Sequence, residues 1–161
     1  MNDSPFERIE MPRISLMTPT GRFWIEDRDG FLTRSGWGLP EEEADSPLLR
    51  IAAQQVAAYF AGDLRRFDLP MQVAGSEFQS QVCAAIAAIP FGETRRYGDL
   101  GATLAAPARA VGQACGHNPL PLFIPCHRVM GSRGLGGFSG AGGVETKVAL
   151  LRHEGAASLL I

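Results

Sequence analysis

The sequence contains one stretch, Asn118-Pro-Leu-Pro-Leu-Phe-Ile-Pro-Cys-His-Arg-Val129, in which three prolines are interspersed with large apolar side chains. Proline lacks a backbone N–H and clashes with the preceding helical turn, so this stretch cannot be a regular helix. Leu122, Phe123 and Ile124 nevertheless require burial. We therefore predict an extended, buried segment that delivers Cys126 to a fixed position.

Helical patterns precede this stretch. Ser76, followed three residues later by Gln79, is typical of a capping box, and the helix that it starts must end before Pro90. Two shorter helical segments follow, from Tyr97 to Leu104 and from Pro107 to Cys115. Their small residues and short connection suggest a helix-turn-helix.

A glycine-rich loop and a final helix follow the stretch. The loop covers residues 131–143, and the apolar spacing predicts a helix over about 144–153 that Gly155 ends. Residues 76–161 are therefore interpreted as a mostly helical C-terminal domain.

The N-terminal part, residues 1–75, is predicted to be a small α/β domain. The alternating pattern between about Ile14 and Trp37, interrupted by the turn formers Asp27-Arg28-Asp29-Gly30, is typical of short strands. Ser46-Pro47 is typical of a helix start, and Leu48, Ile51, Ala52, Val56, Tyr59 and Phe60 then recur at helical spacing. Gly62 is expected to end this helix. Residues 63–75 are expected to be a surface linker.

Composition and charge limit the function classes. The 161 residues carry a net charge of −2, which argues against binding nucleic acid by bulk electrostatics, although residues 76–161 alone carry 7 Lys or Arg against 5 Asp or Glu. No apolar run reaches the roughly 20 residues of a membrane helix, and the first ten residues do not resemble a signal peptide. We therefore expect a cytoplasmic protein with reduced thiols and no membrane partner.

The adjacent pair Cys126-His127 is the main chemical signal. A free thiol is a poor nucleophile near neutral pH, and an imidazole base would raise its thiolate fraction while Arg128 would stabilise the anion. Such a base needs an orienting acid, for which Glu154 is a candidate if the fold brings it close. Taken alone, the dipeptide is more often a buried cysteine beside a surface histidine.

The motif around this pair closely resembles the active-site motif of the O6-alkylguanine-DNA alkyltransferases. The resemblance extends from about Phe78 to Gly155, and its motifs occur in the family order. They are Ile89-Pro-Phe-Gly-Glu-Thr94, Tyr97-Gly-Asp-Leu100, Ala108-Arg-Ala-Val-Gly112, Asn118-Pro119, Ile124-Pro-Cys-His-Arg-Val129 and His153-Glu-Gly155. The N-terminal half is similar only in outline, at Thr18-Pro-Thr-Gly21 and Tyr59-Phe-Ala-Gly62.

The resemblance implies a fold and a DNA partner. The fold would be a ribonuclease H-like α/β N-terminal domain and a mostly α C-terminal domain with a helix-turn-helix. That motif would enter the minor groove of double-stranded DNA and rotate an O6-alkylguanine out of the stack. Arg109 would fill the vacated space, while Ala108, Ala110 and Gly112 would allow close approach. Tyr97 would contact the flipped base and crowd the 3′ phosphate, and Arg128 would also contact DNA.

The resemblance also implies the chemistry of a single-turnover DNA repair methyltransferase. Cys126 would accept the alkyl group irreversibly, with His127 as a water-mediated base, Glu154 as its partner and Asn118 bracing the turn. The pocket would be formed by the carbonyls of Cys126 and Val129, the side chain of Phe138 and the amide of Ser139. The protein would act as a monomer without a cofactor.

Two further cysteines, Cys83 and Cys115, are predicted to pack as small apolar groups on helices. No metal site is expected, because neither Cys-x-x-Cys nor His-x-x-x-His spacing occurs. Arg96 stands where a capping serine would be usual, which should weaken the start of the helix at Tyr97. The interval from Tyr97 to Arg109 is shorter, and the loop after Ser139 longer, than the family pattern.

Three other functions compete with alkyl transfer. They are a non-transferring protein that recognises alkylated guanine, a transcription regulator that uses the helix-turn-helix, and a cysteine hydrolase. Stoichiometric alkylation of the protein distinguishes the transferase from all three, because a hydrolase recovers its nucleophile after each cycle.

Overall fold

The structure is a computed structural model that describes residues 11–132, 134–135 and 143–156. The chain divides into two compact units, Met1–Gln72 and Val73–Ile161. The division falls after Gln72, whereas the sequence predicted a domain boundary after Gly75. Among the described residues, no helix combines the length and the apolar character that a bilayer span requires.

The N-terminal unit contains an antiparallel sheet of order β1-β2-β3, formed by Arg13–Thr18, Gly21–Arg28 and Phe31–Trp37. The predicted turn is a two-residue hairpin loop in which Asp29 and Gly30 have φ values of 53° and 85°. An Asp-Gly pair suits this conformation because both positions require positive φ. Phe23, Ile25 and Leu32 are fully buried on one face of the sheet. The predicted strands are confirmed.

One helix, α1 (Pro47–Phe60), packs on this sheet. Ser46 caps it as predicted, since its Oγ accepts from the N–H of Leu49 at 3.1 Å and donates to Asp27 at 2.7 Å. The prediction of the buried face is wrong near the start of α1. Leu49, which was not predicted, is fully buried, whereas Ile51, which was predicted, is 49% exposed.

The segment after α1 is more than a linker. The N–H of Leu32 donates to Pro70 at 2.8 Å, and the N–H of Gln72 donates to Leu32 at 3.0 Å. Met71 thereby forms a parallel bridge to Leu32. The surface-linker prediction is wrong for these residues, because the outer edge of β3 offers backbone groups that they satisfy.

The C-terminal unit is mostly helical. Its elements are α2 (Glu77–Ala87), β4 (Arg95–Arg96), α3 (Tyr97–Leu104), α4 (Ala108–Gly116), a 3₁₀ turn (Cys126–Arg128), β5 (Val129–Met130) and α5 (Val144–His153). The predicted bounds of α3 and α5 are confirmed. Ser76 caps α2 as predicted, but the side chain of Gln79 does not return to it. Gln79 instead donates to the carbonyl of Ala114 at 2.8 Å, which ties α2 to α4.

The start of α3 is stabilised without a capping serine. The carboxylate of Asp99 accepts from the N–H of Arg96 at 2.8 Å, so half of a capping box compensates for the missing hydroxyl. Helix α3 ends at Leu104, and the next residue, Ala105, has a φ of 53° that turns the chain toward α4. The N–H of Ala106 then donates to Gly101 at 2.9 Å. The connection between the two helices is therefore short and tightly bonded.

A two-residue parallel pairing positions the site. Arg95 pairs with Val129 and Arg96 with Met130. Tyr97 directly follows β4, and the turn that carries Cys126 directly precedes β5. The pairing therefore holds the first turn of α3 beside this turn.

Candidate active site

Cys126 lies in the buried segment that the prolines predicted. Leu120 to Met130 are all buried, and Cys126 itself is 3% exposed. Leu122 adopts a φ of 78°, an uncommon conformation for a side chain that is not glycine. Residues held in such conformations require strong support from their surroundings and cluster at functional sites.

Asn118 supplies part of this support. Its Nδ2 donates to the carbonyl of Ile124 at 2.9 Å, and its Oδ1 accepts from the N–H of Leu120 at 3.0 Å. Its own N–H donates to the carbonyl of Cys115 at 3.2 Å. Asn118 therefore ties the end of α4 to the backbone two residues before Cys126.

Next to the cysteine, His127 is fully buried and bound to Glu154. The distance from His127 Nε2 to Glu154 Oε2 is 2.7 Å. Burial alone would raise the pKa of Glu154, but hydrogen bonds from His127 and Arg128 outweigh it and hold this pKa well below its usual range. The carboxylate is therefore ionised and can only accept, so Nε2 of the imidazole carries the proton.

This tautomer leaves the other ring nitrogen, Nδ1, as a proton acceptor. Among the described residues, Nδ1 of His127 has no hydrogen-bond partner, although it is buried. Burial lowers the pKa of His127, and the neighbouring carboxylate only partly compensates. The neutral imidazole, in the residue that directly follows Cys126, therefore keeps one ring nitrogen able to accept a proton, as a general base requires.

Arg128 completes a buried ionic group. Its Nε and Nη2 donate to the two oxygens of Glu154 at 2.8 Å and 3.0 Å, and its Nη1 donates to the carbonyl of Ile89 at 2.7 Å. The guanidinium also lies 5.9 Å from the ring centroid of Phe91. The structure thus corrects the prediction for Arg128: its guanidinium is buried against Glu154 and is not presented to DNA or to the thiolate.

The surroundings of Cys126 include groups that the sequence did not single out. The neighbouring thiol of Cys115 lowers the pKa of Cys126, Asn118 and Lys147 lower it further, and burial acts in the opposite direction. Burial raises the pKa of Tyr97 to about 12. Interpreting Cys115 as a packing residue is therefore incomplete.

Lys147 is the second residue that the sequence analysis missed. It is fully buried, its Nζ donates to the carbonyl of Val129 at 2.6 Å, and it also bonds to the carbonyl of Leu135. Only its spacing of three and four residues from Leu150 and Leu151, which places it on their buried face of α5, could have indicated it, since a buried lysine is rare without partners. Val129, predicted to line the pocket, uses its carbonyl at least partly for this bond.

A cavity of about 440 Å³ opens beside Tyr97. Arg109, Ala108 and Gly112 line it together with Arg96, and Ala110 is half-buried on the same helix. A Cβ at Gly112 would make an ordinary contact of 4.0 Å with the Tyr97 ring, so Gly112 and Tyr97 face each other where the two helices form the cavity wall. Phe138, Ser139 and the longer loop after Ser139 lie outside the described residues.

Within the described part of the chain, no group of three or more His, Cys, Asp or Glu could hold a metal ion.

Comparison with known proteins identifies the family. Residues 77–156 match the family model that is described as "6-O-methylguanine DNA methyltransferase, DNA binding domain". The chain is 40% identical over 153 residues to a methylated-DNA–protein-cysteine methyltransferase of Mycolicibacterium paratuberculosis, covering 85% of this chain and 88% of the relative.

Solved structures agree with this match. The O6-methylguanine methyltransferase of Mycobacterium tuberculosis superposes with a TM-score of 0.79 at 36% identity, covering 90% of this chain and 93% of that one. The OGT of the same organism in complex with DNA superposes with a TM-score of 0.80 at 35% identity, covering 92% of this chain and 99% of that one. The chain belongs to the methylated-DNA–protein-cysteine methyltransferase family. Its activity is the direct reversal of DNA damage by transfer of an alkyl group to a protein cysteine.

Proposed function

We propose that this chain repairs O6-alkylguanine in double-stranded DNA by accepting the alkyl group on Cys126. One observation carries the assignment to this cysteine. The buried thiol of Cys126 is followed directly in the sequence by a neutral imidazole, whose Nδ1 has no partner among the described residues while its Nε2–H is held by an ionised carboxylate. This arrangement generates a thiolate without charging the histidine permanently.

The reaction is a displacement at the alkyl carbon. His127 Nδ1 takes the proton of Cys126 through a bridging water, and the thiolate attacks the alkyl carbon. A C–S bond forms, the C–O6 bond breaks, and guanine leaves as an anion that takes up a proton. Tyr97 stays protonated because its pKa is raised to about 12, so its hydroxyl can donate to the leaving base. The thioether is stable, so each molecule acts once, and the step needs no cofactor.

We infer that α3 and α4 form a helix-turn-helix that enters the minor groove. Arg109 is exposed at the edge of the 440 Å³ cavity, which falls in the usual size range for small-ligand pockets of about 300–1,000 Å³. A flipped guanine in this cavity would face Tyr97, and Arg109 would fill the gap in the stack.

The remaining assignments follow from the same family. We infer a ribonuclease H-like fold for the N-terminal unit, whose three antiparallel strands are followed by α1 and by a parallel bridge at Met71. We also infer a monomer that works in the cytoplasm, because the acceptor thiol must remain reduced.

Intact-mass measurement tests the proposed function. Incubation with duplex DNA that carries one O6-methylguanine is expected to add one methylene equivalent per protein, mapped to Cys126, and the signal should saturate at one. Cys126→Ser is expected to show no gain, while Cys83→Ala should gain as the wild type does. An unchanged wild-type mass with tight lesion binding would support a recognition protein instead, and a methyl group on another cysteine would contradict the assignment.

Replacing Arg109 by Ala is expected to slow transfer from duplex DNA by roughly 10- to 100-fold, because extrusion of a nucleotide costs a few kcal/mol that the arginine helps to offset. Transfer from the free base O6-benzylguanine should stay within about twofold of wild type, since a free base needs no extrusion. Single-turnover rates on both substrates measure this. Arg152→Ala, which removes an exposed arginine from α5, is the control. Equal losses on both substrates would contradict a role in extrusion.

A further inference from the structure

Arg96 is a cation at the edge of the cavity beside Tyr97, and it has no role in the reaction described above. It lines this cavity of about 440 Å³ together with Arg109 of α4 and Ser132. Both arginines are exposed. The cavity therefore has two guanidinium groups at its edge, one directly before α3 and one near the start of α4.

The guanidinium of Arg96 is unpaired within the described part of the chain. It forms no ion pair and donates no hydrogen bond there, and only the backbone N–H of Arg96 is engaged, at 2.8 Å from the carboxylate of Asp99. The neighbouring Arg95 donates to the carbonyl of Thr94 at 2.9 Å and to Glu93 at 3.1 Å. Successive side chains of a strand point to opposite faces, which agrees with Arg96, and not Arg95, lining the cavity.

This arginine stands where the family pattern has a serine that would cap α3. A guanidinium carries only donors, so it cannot accept from the first N–H groups of a helix as a serine hydroxyl does. Asp99 supplies half of a capping box instead. The arginine thus replaces a helix cap by a positive charge at the cavity, and the stability of α3 does not account for that exchange.

The charge at the cavity favours an anion only because of Arg96. The charged residues that line it are Arg96, Arg109 and Asp99, so its net charge is +1 with Arg96 and zero without it. The whole chain carries −2, so attraction of a phosphate depends on such a local excess. The N-terminal end of α3, which begins at Tyr97 in the cavity wall, adds partial positive charge.

We propose that Arg96 binds a backbone phosphate of the damaged strand, next to the nucleotide whose base occupies the cavity. The inference rests on the proposed function, in which a flipped guanine enters this cavity. Such a nucleotide stays covalently linked to a phosphate on each side, so these phosphates must lie near the edge of the cavity. A guanidinium can donate two parallel hydrogen bonds to phosphate oxygens. Arg109 then fills the gap in the stack while Arg96 holds the strand.

The salt dependence of binding tests this inference. Equilibrium titrations use a duplex with one O6-methylguanine, and every protein carries Cys126→Ser so that no transfer occurs. Arg96→Ala is expected to reduce the slope of log K against log [salt] by about 0.9, the value of one phosphate contact. Its affinity deficit should therefore be about 3.5-fold larger at 50 mM than at 200 mM salt. An unchanged slope would overturn the inference.

Arg95→Ala is the matched control for this measurement. It removes the same formal charge from the adjacent residue, but the guanidinium that it removes is paired with Glu93 and does not line the cavity. Its slope should equal that of the parent protein. An equal reduction in both variants would show an effect of net charge alone and would overturn the inference.

A neutral linkage in the DNA locates the phosphate. Methylphosphonate replaces, one at a time, the phosphates on either side of the lesion. At one of these positions the replacement is expected to weaken binding of the parent protein severalfold and to leave Arg96→Ala unchanged, because that variant has already lost the contact. Equal losses in the two proteins at both positions would overturn the inference.

Two further substitutions separate binding from folding. Arg96→Ser removes the charge and adds a helix cap, so it should melt no lower than the parent and still bind with the reduced slope of Arg96→Ala. Arg96→Lys keeps the charge and should keep the slope. A serine variant with the parent slope would overturn the inference. Failure of the proposed function is seen separately, because the wild-type protein gains or does not gain a methyl group whatever the slope of Arg96→Ala.

Discussion

Replacing Glu154 by Gln is expected to lower the free energy of unfolding by about 3–5 kcal/mol and to slow alkyl transfer by about 10²- to 10⁴-fold. Glu154 accepts hydrogen bonds from His127 Nε2 and from Arg128 Nε and Nη2, at 2.7 to 3.0 Å. A glutamine amide would direct an N–H₂ group at one of these donors. The buried guanidinium of Arg128 would then lose its counter-charge, which is the costly way to break a buried ion pair.

The loss of transfer has a separate cause. With an ionised acceptor at Nε2, the free lone pair of His127 faces away from Glu154. A glutamine can accept or donate at this position, so Nδ1 would carry the proton in part of the molecules. Those molecules have no base for Cys126. Single-turnover rates separate the loss of transfer from unfolding. They are measured at a temperature at which circular dichroism shows that the variant is folded.

The stability difference should depend on pH. The pKa of Glu154 is lowered in the folded protein, so its contribution is present above the unfolded value of about 4.3 and is lost as the pH falls through the folded value. The difference between wild type and Glu154→Gln should therefore narrow below about pH 4. The pKa of His127 is also lowered, so its protonation favours the unfolded state below about pH 6.5 in the wild type.

Glu93→Gln is the matched control for this substitution. Glu93 pairs with Arg95 at 3.1 Å, but the two side chains are 53% and 40% exposed. An exposed pair contributes about 0–1 kcal/mol, so this variant should unfold within about 1 kcal/mol of wild type. Denaturant melts of both variants measure the difference. A Glu154→Gln protein as stable and as active as wild type would show that the ionic group does not hold the base.

The sequence predicted local elements better than their environments. The bounds of α3 and α5 and the cap at Ser46 follow from spacing and turn chemistry, which are properties of neighbouring residues. The failures are long-range. Met71 bridges to β3 because that edge has free backbone groups, and no local pattern reveals which segment reaches it.

In the candidate active site, too, local features could be predicted and long-range contacts could not. Cys126 and His127 are adjacent in sequence and could be singled out from the chain alone. Glu154 could be named only as a candidate, because 27 positions separate it from His127. The burial of Arg128 and the effect of the Cys115 thiol on the pKa of Cys126 could not be predicted, since arginine is usually exposed and cysteine on an alanine-rich helix is usually a packing residue.

Replacing Gly101 by Ala is expected to destabilise the chain by about 1–3 kcal/mol and to weaken DNA binding at least tenfold. A Cβ at this position would lie 2.5 Å from the carbonyl oxygen of Ala106 and 3.5 Å from the nitrogen of Ala108. Both are backbone atoms, the first in the connection between α3 and α4 and the second in the first residue of α4. They cannot move away as the end of a flexible side chain can, so α4 must shift relative to α3.

This shift would act on DNA binding because α4 carries Arg109 while α3 carries Tyr97, on the walls of the same cavity. Thermal melts and titration of lesion-bearing duplex DNA at fixed salt measure the two effects. Gly116→Ala is the control, since it lies in α4 and a Cβ there would meet nothing within 4 Å. It should gain slightly in stability, because alanine favours the helix over glycine by up to about 1 kcal/mol. If Gly101→Ala instead binds DNA as tightly as Gly116→Ala, the fixed angle between α3 and α4 is not what presents Arg109 to the groove.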